Sequence, residues 1–188
     1  MIIKNIARLC KNRRQIHLCE DPINACQWIG DGRSLYQLHE MPTLDEDTVF
    51  AVLDVPENKR EMYTVKHTAW PNTFDAHDSC GEKMMPTAKA GIVWKGQALT
   101  QARTSLGLMF YDRAYLRPFS DLDEYEIWER ETPDGQIYLA VKTGFFLRGI
   151  IVPTLPDPED LNDELSQLVK ELKTTISYRK MMKKEEQS

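Results

Sequence analysis

The chain has 188 residues, and its 24 Lys and Arg against 29 Asp and Glu leave a formal net charge of −5. That length bounds it to one domain of ordinary size or two small ones. A content of 41% hydrophobic and 28% charged residues excludes a disordered composition, and no apolar run approaches the ~20 residues of a membrane span.

Residues 2–13 read as an amphipathic helix. Ile2, Ile3, Ile6, Leu9 and Cys10 share one face, and Lys4, Arg8 and Lys11 share another. The same stretch alternates charge with apolar residues and lacks a signal-peptide core, so a cytoplasmic protein without a membrane partner is expected. Residues 15–20 form a strand candidate, turned by Asp21-Pro22. Residues 25–29 are a second, Gly30-Asp31-Gly32 is a hairpin turn, and 34–39 is a third, stopped by Pro42. Thr43 followed by Glu46 is a capping-box signature for a helix over 44–53. Residues 62–68 read as a strand. Residues 69–90, with Pro71, Gly81 and Pro86, read as a long surface connection.

The second half predicts a hairpin of 91–94 and 97–104 around Lys95-Gly96, then a strand over 108–111. Asp112 is a candidate cap for a helix running to about Tyr125, which Pro118 kinks or divides. Three strands follow. Residues 125–131 alternate, Pro133-Asp134-Gly135 turns the chain, 136–141 is apolar, Thr143-Gly144 breaks it, and 145–152 runs to Pro153. Phe146 and Ile150 are expected in the core. A last helix over about 159–178 carries Leu161, Leu165, Leu168, Leu172 and Ile176 along one side, and 179–188 is a tail.

The halves resemble each other. Ile16, Pro22, Pro42, Thr43 and Leu44 recur as Ile127, Pro133, Pro153, Thr154 and Leu155 at one constant offset. Under the repeat-first rule this predicts two copies of one unit, superposing 6–55 on 115–165. The fold class expected is α+β, a duplicated α-β-β-β unit with two sheets, helices on one side and an added C-terminal helix. The domain reading is one domain over 1–178, with pseudo-repeats of about 1–68 and 91–178 joined by 69–90.

Phe110-Tyr111-Asp112-Arg113-Ala114-Tyr115-Leu116 is similar to the opening of a helix in the DNA sliding clamps. Phe146-Leu147-Arg148-Gly149-Ile150-Ile151-Val152-Pro153 is similar to that family's terminal strand, which ends at a proline. The resemblance covers about 1–55 and 108–155. It implies paired βαβββ modules with sheets facing outward and helices facing DNA, and a binding protein with neither catalytic residues nor a cofactor. A ring takes several such domains, and this chain supplies one.

The basic stripe supports that reading from the residues themselves. Lys4, Arg8 and Lys11, with Arg13 and Arg14 just beyond, and Arg113 and Arg117 in the second half, are the residues expected to contact double-stranded DNA through phosphates, without base readout. A solvated helix face is the plainer account of the same spacing. The partner is then DNA, a protein, or a second copy of the chain. Arg179, Lys180, Lys183 and Lys184 read as a solubilising tail. Four irregularly spaced cysteines, Cys10, Cys19, Cys26 and Cys80, read as reduced thiols, with no signature that pairs one with a histidine. His67, Asp75, His77, Asp78 and Cys80 match no zinc spacing, and no metal is expected. Asp121, Asp123, Glu124, Glu126, Glu129 and Glu131 read as a polar helix end followed by an alternating strand. Trp28, Trp70, Trp94 and Trp128 read as core or sheet-face residues.

Overall fold

A computed structural model describes residues 1–71, 73–76, 82–86, 91–94 and 96–155, with Ser166, Lys170, Glu171, Lys173 and Thr174. Its architecture is α+β, with one eight-stranded and one three-stranded sheet. The chain divides into Met1–Thr154 and Leu155–Ser188. In the second unit Ser166, Lys170, Glu171, Lys173 and Thr174 are helical and Leu155 is not, while its predicted leucine stripe and basic tail lie outside the described residues.

Helix α1 spans Ile3–Arg13 and ends on Arg14 in the left-handed conformation, whose N–H reaches the carbonyls of Cys10 and Lys11. Lys11 and Arg13 sit in its last turn, where cations suit the helix dipole. Strands β1 (Gln15–Asp21), β2 (Cys26–Gly30) and β3 (Ser34–Leu38) form the first meander. Helix α2 (Glu46–Val52) starts later than predicted, because Asp45, not Thr43, is its cap. Asp45 accepts from the Thr48 N–H at 2.8 Å, and Thr48 Oγ1 accepts from the Asp45 N–H at 2.7 Å. A 3₁₀ turn, Glu57–Met62, leads into β4 (Thr64–Ala69), parallel to β1.

Segment 69–86 does more than connect. Lys83–Met84 forms β5, paired with the later strand β9, and Trp70 and Phe74 pack on the sheet. Strands β6 (Gly91–Trp94), β7 (Gln97–Thr104) and β8 (Gly107–Asp112) form the three-stranded sheet. The helix predicted from Asp112 to Tyr125 is a 3₁₀ helix, Arg113–Phe119, with Pro118 inside it. Asp112 caps it by accepting from the Ala114 N–H at 2.8 Å. The second meander is β9 (Glu126–Glu131), β10 (Ile137–Thr143) and β11 (Phe146–Ile151).

The large sheet runs β4-β1-β2-β3-β11-β10-β9-β5. The two meanders do not form separate sheets, as a unit-by-unit reading expects, but join edge to edge where β3 pairs with β11. Helices α1 and α2 and the Arg113–Phe119 helix cover one face. Ile6, Leu9, Val49, Phe50, Tyr115 and Phe119 pack there on Ile16, Leu18, Ile29, Tyr36, Leu139 and Ile151. The opposite face packs Trp28, Tyr138, Ala140 and Ile150 beneath Trp70 and Phe74.

Phe146 corrects the sequence reading. Ile150 is buried, but Phe146 is 66% exposed: the hairpin turns at Gly144-Phe145, later than predicted, and a bulge in the β10–β11 pairing, where Val141 faces Gly149 and Lys142 faces Leu147, puts Phe146 and Ile150 on opposite faces. Gly144 has φ 57°, which suits the first turn position of a two-residue hairpin. Phe119, by contrast, is fully buried against Tyr36 and against Gly149, where a Cβ would lie 2.3 Å from its ring. Urea denaturation should show Phe119→Ala losing about 3–5 kcal/mol and Phe146→Ala changing by under about 0.5 kcal/mol. Equal effects would mean that the seam is misplaced.

Candidate nucleic-acid interface

Helix α1 and the Arg113–Phe119 helix lie side by side. The Ile2 N–H donates to the Pro118 carbonyl at 2.8 Å, and Asn5 Nδ2 donates to the Arg117 carbonyl at 2.8 Å. At about 3.6 residues per turn, Asn5, Arg8 and Asn12 run along one side of α1, and Lys4 and Lys11 flank it. Lys4 and Arg8 are therefore exposed next to the second helix, on which Arg113 and Arg117 are exposed as well.

The six predicted contact residues are not equivalent. Lys4, Arg8, Arg14, Arg113 and Arg117 are exposed. Lys11 is engaged: its Nζ donates to the Asp54 carbonyl at 2.7 Å and lies 3.8 Å from that residue's carboxylate. Arg14 sits at the helix end, its carbonyl accepting from the Thr64 N–H at 3.0 Å. Arg13 is exposed but paired, its Nε 3.7 Å from the buried Asp31 carboxylate. Arg113 and Arg117 are four apart, which aligns side chains on an α-helix but not on a 3₁₀ helix, where positions three apart eclipse. They splay accordingly, and both line a neighbouring cleft.

That cleft, of ≈ 1280 Å³, lies between β6, β7, the Arg113–Phe119 helix and β9. Ile92, Leu99, Leu116 and Ile127 give it an apolar floor, and Asn12, Gln97, Gln101, Tyr111 and Tyr125 add polar and aromatic groups. Tyr111 is buried, and that burial, reinforced by nearby Tyr125 and opposed by Arg113, pushes its phenol up to about 12. The two acids of the lining are turned to internal work. Asp112 caps the 3₁₀ helix, and Glu126 accepts from Trp128 Nε1 at 3.1 Å. The basic pattern was visible in the sequence. Tyr125, Gln97 and Gln101 were missed, because only the fold brings the second hairpin beside the residue that precedes β9.

Among the described residues, the other candidate chemistry does not assemble. Burial pushes the thiols of Cys10, Cys19 and Cys26 up, far so for Cys10, and none has a histidine partner among the described residues. Cys10 Sγ donates to the Gly30 carbonyl at 3.3 Å. His67 sits 3.0 Å from Glu20, and the Asp75 N–H donates to the Tyr138 hydroxyl at 3.1 Å. His77, Asp78 and Cys80 lie outside the described residues. No group of three metal-ligating residues gathers among the described residues. Of the acidic cluster, Glu129 is buried and accepts from the Ser105 N–H at 2.6 Å and from its hydroxyl. Trp28, Trp94 and the half-buried Trp70 and Trp128 belong to sheet faces, and among the described residues no helix is long and apolar enough to cross a membrane.

Comparison with protein families, with curated proteins and with solved structures finds no match to this chain.

The tyrosines set an alkaline limit. Tyr115, like Tyr111, is pushed up to about 12, by burial first and then by Asp31, with Arg13 opposing. In the unfolded chain both ionise near pH 10, so their protonated folded forms add stability fully below that pH. The folded state binds more protons between about pH 10 and 12, and stability falls as pH rises through that window. Absorbance titration at 295 nm should show at least three late-titrating phenols, Tyr111, Tyr115 and the buried Tyr36, that move down on unfolding in urea, and Tyr115→Phe should remove one.

Proposed function

We propose that this chain is a non-enzymatic, clamp-like protein that binds DNA, or a partner in DNA replication, through the basic face of α1 and the Arg113–Phe119 helix. The observation that carries the reading is the packing of the two helices. It sets the exposed Lys4, Arg8, Arg113 and Arg117 on adjoining elements. Phosphates are the ligand such a face suits, since arginine and lysine contact the backbone without reading bases.

Chain topology supports a duplicated unit. Pro22 and Pro133 both follow the first strand of a meander, Pro42 and Pro153 both follow the third, and a helix precedes each meander. The copies have diverged at the sheet edges, where β4 is parallel to β1 and β5 is antiparallel to β9. Fluorescence anisotropy against a labelled duplex should give a Kd of about 10⁻⁴ to 10⁻⁶ M that weakens steeply with salt. The triple variant Lys4→Glu/Arg8→Glu/Arg14→Glu should abolish binding and leave the melting temperature close to that of the parent, since surface substitutions change stability by under about 0.5 kcal/mol each. Equal binding by that variant removes the basic face from the account.

A second reading, an interaction module with a protein partner or a second copy, draws on a different end of the molecule. Phe145 is 82% exposed at the β10–β11 turn, with Phe146 beside it and Arg148 5.2 Å over the Phe146 ring. Exposed aromatic residues of this kind anchor interfaces. If they hold a homo-oligomer, sedimentation velocity will show it in the parent and lose it in Phe145→Ser/Phe146→Ser. A monomer in both excludes self-association there.

A further inference from the structure

We propose that the cleft beside the Arg113–Phe119 helix is a channel for single-stranded nucleic acid, an inference that rests on the phosphate-binding reading of the adjoining helices and names the ligand class of that surface. At ≈ 1280 Å³ and open to solvent, the cleft exceeds the about 300–1,000 Å³ of a small-molecule pocket. A segment of a polymer fits that size better than a metabolite.

The lining chemistry selects the polymer. Arg113 and Arg117 enter from one wall on a splayed 3₁₀ helix, as two separate cationic points along the cleft. Among the described residues neither guanidinium stands in an ion pair, whereas Lys11, Arg13 and Arg130 do. Tyr125 stands at the mouth, about a third exposed, with its ring 5.9 Å from that of Phe119 and at 42° to it. One side of it is thus braced by the core and the rest is open. Braced, half-exposed aromatic rings are what unpaired bases stack on, and the stacking tolerates any base. Gln97, Gln101 and Asn12 add amides that both donate and accept, as base edges require.

Geometry separates this ligand from a duplex. In a duplex the base faces are stacked and out of reach, so the Tyr125 ring has no base face to meet, and contact is limited to the backbone on the outer α1 face. A splayed single strand presents base faces and phosphates together. The acids of the lining do not oppose it strongly, because Asp112 is committed to the 3₁₀ cap and Glu126 to the Trp128 indole.

The test uses the full chain and two probes in anisotropy, a labelled oligo-dT of about 15 nucleotides, within the range an ssDNA-binding groove occupies, and a labelled duplex. Tyr125→Ala should weaken oligo-dT binding by about tenfold or more, since stacking of one base corresponds to about 5- to 150-fold, and should leave duplex binding unchanged. Tyr125→Phe, which keeps the stacking face, should bind oligo-dT like the parent. Arg113→Ser, a change at an exposed side chain, should reduce the log–log salt slope for oligo-dT by about 0.7 and serves if Tyr125→Ala unfolds. Oligo-dT affinity indifferent to both variants overturns the channel while leaving any duplex binding, and with it the helix-face reading, intact. Displacement of oligo-dT by polyglutamate as readily as by unlabelled oligo-dT also overturns it, by showing a groove for extended acidic peptides. Failure of both probes to bind removes both readings together.

Discussion

The contact on which the arrangement depends is the seating of Phe119 over Gly149. Two meanders become one sheet only where β3 and β11 pair, across Tyr36–Gly149, Leu35–Ile150 and Ser34–Ile151. That seam is short, and it is reinforced from one face. The Phe119 ring fills the space that any side chain at Gly149 would occupy, stacks on Tyr36 at 5.4 Å, and the Tyr36 hydroxyl donates to the Tyr115 carbonyl at 2.9 Å. One aromatic residue on a 3₁₀ helix therefore holds the junction of both halves. The same contact fixes the helix so that Arg113 and Arg117 face outward and α1 can lie against its carbonyls.

This explains what the sequence made legible and what it did not. Strands β1, β2, β3, β6, β7 and β8 and helix α1 stand within about two residues of their expected bounds, since alternation, Gly turns and the apolar face of α1 are local signals. The constant-offset prolines follow the first and third strands of each meander. The join between meanders was not legible, because edge-to-edge pairing depends on a glycine whose role is set by a ring thirty residues away in the chain. Phe146 was misjudged for a related reason. A one-residue slip in register swaps the faces of a strand, and β11 carries such a slip: Val141 pairs with Gly149 and Lys142 with Leu147, so Leu147 and Ile150 share a face and Phe146 takes the other. The capping box also moved by two residues, as Asp45 competes with Thr43 for the same role and wins with Thr48 as its reciprocal partner.

The second face of the large sheet shows what holds Trp70, Phe74, Asp75 and Glu82 against it. Arg130 and Lys142 are buried on β9 and β10, and Glu82 bridges them, with its Oε2 2.7 Å from Arg130 Nε and its Oε1 2.6 Å from Lys142 Nζ. Arg130 Nη1 also donates to the Asp75 carbonyl at 2.8 Å. Leaving one partner of such a cluster without its counter-charge costs several kcal/mol, whereas an intact cluster contributes little net stability. The bridge thus specifies position more than it stabilises. It pins the segment that carries Trp70 and Phe74 over Trp28 and Tyr138, and Lys142 adds a cation–π contact 5.0 Å over the Trp128 ring.

The same inward use of carboxylates bears on how an acidic chain can bind a polyanion. The formal charge of −5 counts every Asp and Glu alike. Asp21 is buried and accepts from the Ile23 and Asn24 N–H groups at 3.2 and 3.1 Å, holding the β1–β2 turn. Asp31 is buried too and accepts from the N–H groups of Arg33 and Ser34 at 3.0 and 2.9 Å. Glu129 is tied to Ser105, and Glu82 to Arg130 and Lys142. These charges are neutralised or hydrogen-bonded within the fold and are shielded from a ligand on the outer α1 face. Their basic partners are Arg13, which lies 3.7 Å from Asp31, and Arg130 and Lys142 beside Glu82. At physiological salt the field that a phosphate feels extends only about 8 Å. The near neighbours Lys4, Arg8, Arg113 and Arg117 then outweigh the distant net charge, and the sign of the local surface, not of the chain, decides whether a nucleic acid approaches it.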